Sequence, residues 1–260
     1  MSLSARPSNI GTRFHNYLYD ELGLDFVYKA FTTTDLPSAI AGIRALGIRG
    51  CGVSMPFKEA SIAHVDVMHP SAAAIASVNT IVNDAGTLHA YNTDYEAVAT
   101  LLAEHEVSTD FTVAVAGSGG MAKAVVAALR DSGFTAVTVI ARNAETGPAL
   151  AGQYGFEWRA ELGELRPELL VNVTPVGMAG GPDADASPFD AAAIAAAETV
   201  FDVVAMPPDT PLIRAAVAAG KATITGAEVI ALQAAAQFAL YTGVTPTPEQ
   251  VRRASEYSRS

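Results

Sequence analysis

The segment that decides the fold of the second half of the chain is residues 111–122, FTVAVAGSGGMA. An apolar run typical of a buried strand is followed directly by the spacing G-x-G-x-x-A, just before a helical pattern over 119–132. In this setting Gly117 permits a tight turn, Gly119 lets a pyrophosphate approach the backbone, and Ala122 lets the helix pack on the strand. The anion would rest on the positive helix N-terminus. A glycine-rich turn without a ligand is the alternative. The predicted cofactor-binding residues of this turn are Gly117, Ser118, Gly119, Gly120 and Met121.

The residue after the second strand of this series distinguishes between the nicotinamide dinucleotides. The predicted strand 136–141 is followed by Arg142 and Asn143, with no acidic residue before Glu145. An acidic side chain here would bind the ribose 2′-hydroxyl of NAD, whereas an arginine accommodates the 2′-phosphate of NADP. Arg142 therefore predicts NADP as the cofactor, with a solvated arginine at a strand end as the alternative.

Outward from this segment, strand and helix patterns alternate along almost the whole chain, which predicts parallel βαβ units. In the first half we expect a helix over 13–22 capped by Thr12, a strand over 26–31, and a helix that begins at Asp35. A strand over 48–54 and a hairpin turn at 83–86 follow. The last two helices are predicted over 226–242 and 247–257.

These patterns predict an α/β fold with an N-terminal α/β substrate domain and a C-terminal Rossmann dinucleotide-binding domain. The expected substrate domain covers 1–98, and the Rossmann domain covers 99–227. The C-terminal helices, within 228–260, are expected to pack back on the first domain.

Composition excludes several classes of function. The formal net charge of −11 and a pI near 4.8 argue against a nucleic-acid partner, which needs clustered Lys and Arg. The single cysteine, Cys51, excludes an intramolecular disulfide framework, and the histidines show no metal-ligand spacing. No apolar run reaches membrane-spanning length, and no signal segment is evident. We therefore expect a cytoplasmic protein with no metal, acting on a small molecule as a monomer or homodimer.

Three polar segments of the first half follow or flank predicted strands, where α/β proteins place their sites. They are 54–59 (SMPFKE), 77–80 (SVNT) and 91–94 (YNTD). Oxidation of an alcohol needs a group that exchanges a proton with the substrate oxygen, and a lysine held by a carboxylate can do this. The three segments offer Lys58, together with the carboxylates of Glu59 and Asp94, for such a pair.

At this point the chain resembles the shikimate dehydrogenase family along its full length. The family's V-T-x-P-x-K segment is matched at 53–58, its V-N-T at 78–80 and its N-T-D at 92–94. Its glycine turn is matched by 117–121 and its arginine by Arg142. Near the C-terminus, its G…Q-A helix is matched by Gly226 with Gln233 and Ala234.

The resemblance implies an NADP-dependent oxidoreductase that interconverts shikimate, or a related cyclic hydroxy acid such as quinate, and its 3-dehydro ketone in aromatic amino acid biosynthesis. It implies a catalytic pair, Lys58 and Asp94, that acts on the reacting hydroxyl. It also implies that Asn79 and Gln233 hydrogen-bond the polyol, that Ser54 supplies a hydroxyl, and that Gly226 belongs to the cofactor site.

The sequence departs from the family where the substrate carboxylate is held. Asn9 and Gly11 stand where the family has two serines, and Ser8 and Thr12 are the candidate replacements. A substrate-facing tyrosine has become Ala205. The nicotinamide-side methionine looks replaced by Val229, and Thr146 lies where the family has a second basic residue of the phosphate clamp. This pattern resembles the shikimate-dehydrogenase-like branch, whose members reduce dehydroshikimate poorly.

Each site residue also has a structural interpretation. Lys58 could be a surface lysine, and Asp94 could favour a helix N-terminus inside the T-x-x-E pattern that starts at Thr93. Asn79 could be a turn residue, and the shared helix face of Gln233 and Gln237 could contact water. His15 could pack inside a helix or contact a ligand.

The rival functions are a non-catalytic NADP-binding sensor or subunit, and a dehydrogenase of the same architecture with an unrelated substrate, such as a folate or tRNA-linked compound.

Overall fold

The structure, a computed structural model, describes residues 1–7 and 9–259. The first part of the chain forms β1 (Ser2–Leu3), α1 (Ile10–Glu21), β2 (Ala30–Phe31), α2 (Leu36–Ala45), β3 (Gly50–Val53), α3 (Phe57–Ala60), a 3₁₀ turn (Ser61–His64), β4 (Val67–Met68), α4 (Pro70–Ala73), β5 (Thr80–Asp84), β6 (Thr87–Tyr91) and α5 (Thr93–Glu104). The second part forms β7 (Val113–Ala116), α6 (Gly120–Asp131), β8 (Val137–Ile140), α7 (Thr146–Tyr154), β9 (Glu157–Arg159), β10 (Leu169–Asn172), α8 (Ala191–Ala196), β11 (Thr199–Asp202), α9 (Pro211–Ala218), β12 (Ala222–Thr225), α10 (Gly226–Thr242) and α11 (Pro248–Arg259).

The chain divides into two compact units. The first comprises Met1–Glu96 together with Ala231–Ser260, and the second comprises Ala97–Ile230. The end of α10 and all of α11 therefore lie in the first unit, although they come last in the sequence.

The first unit contains a mixed six-stranded sheet in the order β2-β1-β3-β5-β6-β4. Strand β1 pairs in parallel with β2 and β3, whereas β5 runs antiparallel between β3 and β6. Because β5 is reversed, its first residue lies at the same edge as the last residues of β3 and β6. We call this the carboxyl edge of the first sheet, and it gathers the polar segments predicted from the sequence.

Apolar clusters cover both faces of that sheet. On one face Ile40 and Ile43 of α2 pack with Val53, Ile81 and Leu88. On the other face α1, α10 and α11 contribute an aromatic-rich cluster, whose buried members are Phe14, Leu18, Tyr19, Tyr28, Val82, Ala234, Phe238, Tyr241, Val251 and Ala254. Neighbouring residues Ile81 and Val82 of β5 belong to different clusters, because successive side chains of a strand point to opposite faces of the sheet.

The second unit contains an all-parallel six-stranded sheet in the order β12-β11-β10-β7-β8-β9. Counted from its own first strand, β7, this is the Rossmann order 3-2-1-4-5-6 read from the β9 edge. Strands β7 and β10 are buried on both faces, as parallel strands between helical layers must be. The predicted α/β fold with a Rossmann domain is confirmed.

Two local predictions in the first half were wrong. The predicted strand over 26–31 is reduced to Ala30–Phe31, because Asn16 bonds both the backbone N–H and the C=O of Tyr28 and so replaces a strand partner. The first helix begins at Ile10 with Asn9 as its N-cap residue, so Thr12 lies within the first turn instead of capping it. Asn9 makes no side-chain cap, but its C=O accepts the first helical hydrogen bond, from Arg13, at 2.8 Å.

His15 lies inside the aromatic cluster of the first unit. Its imidazole is 1% exposed and stacks on Tyr28, with ring centroids 4.3 Å apart. Within the described residues neither ring nitrogen makes a well-formed hydrogen bond, and burial lowers the pKa of His15 to about 3. Of the two roles considered for this residue, packing is the one the structure shows.

We predict that the free energy of unfolding decreases as the pH falls from about 6.5, the ordinary pKa of histidine, towards 3. In that window the unfolded chain protonates His15 and the folded chain does not. One such site contributes a slope of at most about 1.36 kcal/mol per pH unit. His15→Phe keeps a stacked ring without the titrating group, so urea unfolding across this pH range should give it a shallower slope. Equal slopes for the two proteins would contradict a neutral, buried His15.

Candidate active site

The carboxyl edge of the first sheet is held together by backbone hydrogen bonds between its three central strands. The N–H of Val53 donates to the C=O of Asn79 at 2.7 Å, and the N–H of Asn79 donates to the C=O of Tyr91 at 3.1 Å. The N–H of Ser54 also bonds the C=O of Leu3 at 2.9 Å. These bonds place three polar segments, widely separated in the sequence, side by side.

Lys58 and Asp94 meet at this edge. The Nζ of Lys58 lies 2.6 Å from Oδ2 of Asp94, and the two side chains are 28% and 16% exposed. The pair is thus shielded enough to stay associated and open enough to be reached by a small molecule. Lys58 thus lies in the short helix α3, as its structural interpretation expects, and in addition has a carboxylate partner.

Local structure explains how each member is held. The N–H of Phe57 bonds the C=O of Ser54 as the chain turns into α3, and the C=O of Lys58 accepts from Val78 at 3.1 Å. Asp94 lies in the first turn of α5, where a negative charge is favourable. The Oδ1 of Asn92 accepts from the N–H of Tyr95 at 3.1 Å and so caps that turn.

Asn79 is buried, at 2% exposure, within a network of side-chain hydrogen bonds. Its Oδ1 accepts from the N–H of Thr93 and from the hydroxyl of Thr80, both at 2.8 Å. Its Nδ2 donates to Oγ1 of Thr93 at 3.0 Å. The amide oxygen is therefore occupied by protein donors, and Nδ2 is the part of this side chain that retains donor capacity.

Both glutamines of α10 reach the same network. Oγ1 of Thr93 lies 3.4 Å from Oε1 of Gln233, which is half-buried. Gln237, at 6% exposure, donates from Nε2 to Oγ1 of Thr80 at 2.9 Å and to the C=O of Asn79 at 3.3 Å. Gln237 is not among the predicted site residues, and the alternative that its side chain contacts water is wrong. Its i, i+4 spacing from Gln233 was the available signal.

The remaining candidates for substrate contacts lie at different depths. Ser54 is exposed directly after β3. The Oγ1 of Thr12 is shielded from solvent and has no hydrogen-bond partner in the described part of the chain. Ser8 falls outside the described residues. Of the two predicted hydroxyls that the structure describes, the one of Ser54 is therefore the more accessible.

In the second unit, the turn after β7 has the geometry that a bound pyrophosphate needs. Gly117 adopts φ +121°, and an added Cβ would lie 2.8 Å from Cγ2 of Val173. Gly119 precedes α6, and nothing lies within 4 Å of the position of its Cβ. Ala122, in the first turn of α6, is fully buried. Glycine at 117 is thus required by the fold, whereas the space at Gly119 is open for a ligand.

The other predicted cofactor-binding residues described by the structure include Ser118 in this turn, Arg142 after β8 and Gly226 at the start of α10. Oγ of Ser118 is 2.8 Å from Oγ1 of Thr146, which joins the glycine turn to the start of α7. Arg142 is exposed after β8, and no ion pair between described residues includes it. Gly226 lets α10 start against the backbone after β11, since an added Cβ would lie 2.4 Å from the C=O oxygen of Val203. The contacts of Gly226 therefore show a packing role for this residue.

Across residues 1–7 and 9–259, no helix is long and apolar enough to span a membrane. The same residues form no cluster of three or more His, Cys, Asp or Glu side chains arranged to hold a metal ion.

Comparison with known proteins places this architecture in a family. A family model described as the shikimate dehydrogenase substrate binding domain matches residues 9–81. The shikimate dehydrogenase-like protein of Haemophilus influenzae is 55% identical over 260 residues, which cover 100% of this chain and 96% of the relative.

Solved structures agree. A shikimate 5-dehydrogenase-like protein has a TM-score of 0.99 at 55% identity, covering 100% of this chain and 97% of its own. The shikimate 5-dehydrogenase of Thermus thermophilus, solved in complex with NADP(H) and shikimate, has a TM-score of 0.87 at 31% identity, covering 99% and 98%. The resemblance inferred from the motifs is confirmed, and the chain belongs to the shikimate dehydrogenase family.

Proposed function

We propose that the protein is an NADP-dependent dehydrogenase that interconverts a cyclic hydroxy acid and its ketone, with shikimate and quinate as the nearest substrates. The observation that carries the proposal is the Lys58–Asp94 pair, 2.6 Å apart at the carboxyl edge of the first sheet. The family relationship supports the same class of reaction. A cytoplasmic location belongs to the same proposal.

The pair handles the proton of the reaction. Oxidation of a secondary alcohol removes a hydride from carbon and a proton from oxygen, and bound NADP would accept the hydride. The amine of Lys58 takes the hydroxyl proton, and the carboxylate of Asp94 stabilises the ammonium that forms. In reduction the ammonium returns the proton to the carbonyl oxygen. The 2.6 Å contact keeps Nζ in one place, which is what alignment of proton and hydride transfer requires.

The residues of the second unit fit NADP. The open space at Gly119 admits a pyrophosphate to the N-terminus of α6, a site that favours anions. Arg142 is exposed after β8, where the 2′-phosphate is expected, and the Ser118–Thr146 contact supplies hydroxyl groups at the glycine turn. Thr146 carries no charge, so Arg142 is the cation that this proposal assigns to the phosphate.

Substrate hydroxyls would be held by donors from the first unit. Asn79 can offer Nδ2, since its oxygen is occupied, and Gln233 lies next to it through Thr93. The exposed Ser54 completes the proposed set. Because Asn9 and Gly11 replace the two serines whose hydroxyls hold the acid group in the family, we expect the ring to be aligned less well and shikimate to be a slow substrate.

The first test is NADP⁺ reduction by the purified protein with shikimate, quinate and larger cyclic hydroxy acids. We predict turnover, with kcat/KM for shikimate about a hundredfold below that of an ordinary shikimate dehydrogenase, or roughly 3 kcal/mol at 1.36 kcal/mol per decade.

Lys58→Met should lower kcat by about 10²–10⁴-fold without changing the affinity for NADP⁺. Lys29→Met, at an exposed lysine before β2, is the matched control and should retain full activity. NADP⁺ binding without turnover of any hydroxy acid would instead favour a non-catalytic NADP-binding protein.

The second test concerns the cofactor. Arg142→Leu should weaken the preference for NADP⁺ over NAD⁺ by roughly 1.5–3 kcal/mol, because a charge-assisted contact to the 2′-phosphate is lost. Steady-state KM values for both cofactors measure the change. Arg166→Leu, which removes an exposed arginine from the loop before β10, is the control and should leave the ratio unchanged. An unaltered KM for NADP⁺ in the Arg142 variant would show that the phosphate is held elsewhere.

A further inference from the structure

One cationic side chain at the carboxyl edge of the first sheet has no role in the proposal above. Arg6 is exposed in the segment that leads from β1 to α1. The N–H of Ala5 donates to the C=O of Met55 at 3.2 Å, and the N–H of Arg6 donates to Oγ of Ser4 at 3.2 Å. The backbone of Arg6 is thus held beside the segment that leads from β3 to Lys58.

The backbone of this segment is restricted. Ser4 is tied to β2 through the C=O of Phe31 at 3.1 Å, and Ala5 is tied to the other side, at Met55. Pro7 follows Arg6, and a proline disfavours helical backbone in the residue before it. The base of the Arg6 side chain therefore has a fixed position at this edge, and its guanidinium lies at the end of a long side chain in solvent.

The distribution of charge in the first unit makes Arg6 a candidate for binding an anionic group. The chain carries a net charge of −11, so an anionic substrate needs a local cation. The ammonium of Lys58 is already balanced by Asp94. Among the described lysines and arginines of the first unit, Arg6 is the other one in a segment that directly follows a strand at the carboxyl edge; His69, after β4, contacts His89.

Other cations of the unit lie elsewhere or are paired. Lys29 precedes β2 and so lies at the opposite edge, and Arg44 is paired with Asp66. Arg49 precedes β3 and bonds the C=O groups of Asn83 and Tyr241. On α1, Arg13 bonds the C=O of Tyr257.

We propose that Arg6 binds the carboxylate of the substrate and thereby selects hydroxy acids over neutral alcohols. This proposal rests on the proposed function, since it names the group that recognises the acid. A guanidinium can bind a carboxylate through two parallel N–H···O bonds, which gives direction as well as charge. It would do so in place of the Thr12 hydroxyl, whose oxygen is shielded from solvent.

The test is a binding measurement, so that it does not depend on turnover. Isothermal titration calorimetry of the full chain compares shikimate with its methyl ester, which has the same ring and no charge. We expect the wild-type protein to prefer the acid, and Arg6→Gln to weaken acid binding by about 10–100-fold, the range for a lost charge-assisted pair. Ester binding and NADP⁺ binding should change little, and Arg6→Lys should retain part of the preference. Lys29→Gln is the control for loss of one positive charge and should behave like wild type.

The outcomes separate the two proposals. If Arg6→Gln keeps the wild-type ratio of acid to ester affinity, or if the wild-type protein binds the two equally or binds neither, Arg6 is not the carboxylate anchor. If the acid is bound through Arg6 but no hydroxy acid is oxidised with NADP⁺, the anchor stands and the proposed dehydrogenase activity fails.

Discussion

The site depends on the reversal of one strand. Because β5 runs antiparallel between β3 and β6, the end of β3, the start of β5 and the end of β6 lie at one edge, joined by the backbone bonds of Val53 to Asn79 and of Asn79 to Tyr91. An all-parallel arrangement would send Asn79 to the far edge. The reversal is what brings Asn79 to the edge at which Lys58 and Asp94, distant in the sequence, lie 2.6 Å apart.

The buried amides stabilise that arrangement through directional hydrogen bonds, which a purely apolar core does not provide. A typical internal hydrogen bond contributes only about 0.5–1.5 kcal/mol, but leaving a buried polar group without a partner costs about 1–3 kcal/mol. Asn79, Thr80, Thr93 and Gln237 satisfy one another, so a shift of α5 would break several of these bonds together. Asp94, in the first turn of α5, is therefore positioned by the network that holds Thr93, the residue before it.

The sequence predicted the features that have a strong local cause. The Asp35 cap accepts from Ser38 as expected, and the hairpin turn uses positive φ at Ala85 and Gly86. The Lys58–Asp94 contact was predicted only because family motifs supplied the pairing. Strands β1 and β9 went unassigned, since two or three residues carry no alternation that could be recognised. The role of Gln237 could not be predicted, because the sequence pattern of a polar residue on a helix face is the same whether its side chain contacts water or buried polar groups.

The central claim is that Lys58 and Asp94 act as one proton-transfer unit. A double-mutant cycle tests it most directly, with kcat for shikimate and NADP⁺ measured in wild type, Lys58→Ala, Asp94→Ala and the double variant. Residues that act as a unit are strongly non-additive. The account predicts that each single substitution lowers kcat severely and that the double variant is little worse than Lys58→Ala alone. Losses that multiply, with the double variant reduced by the product of the two single effects, would show independent roles and contradict it.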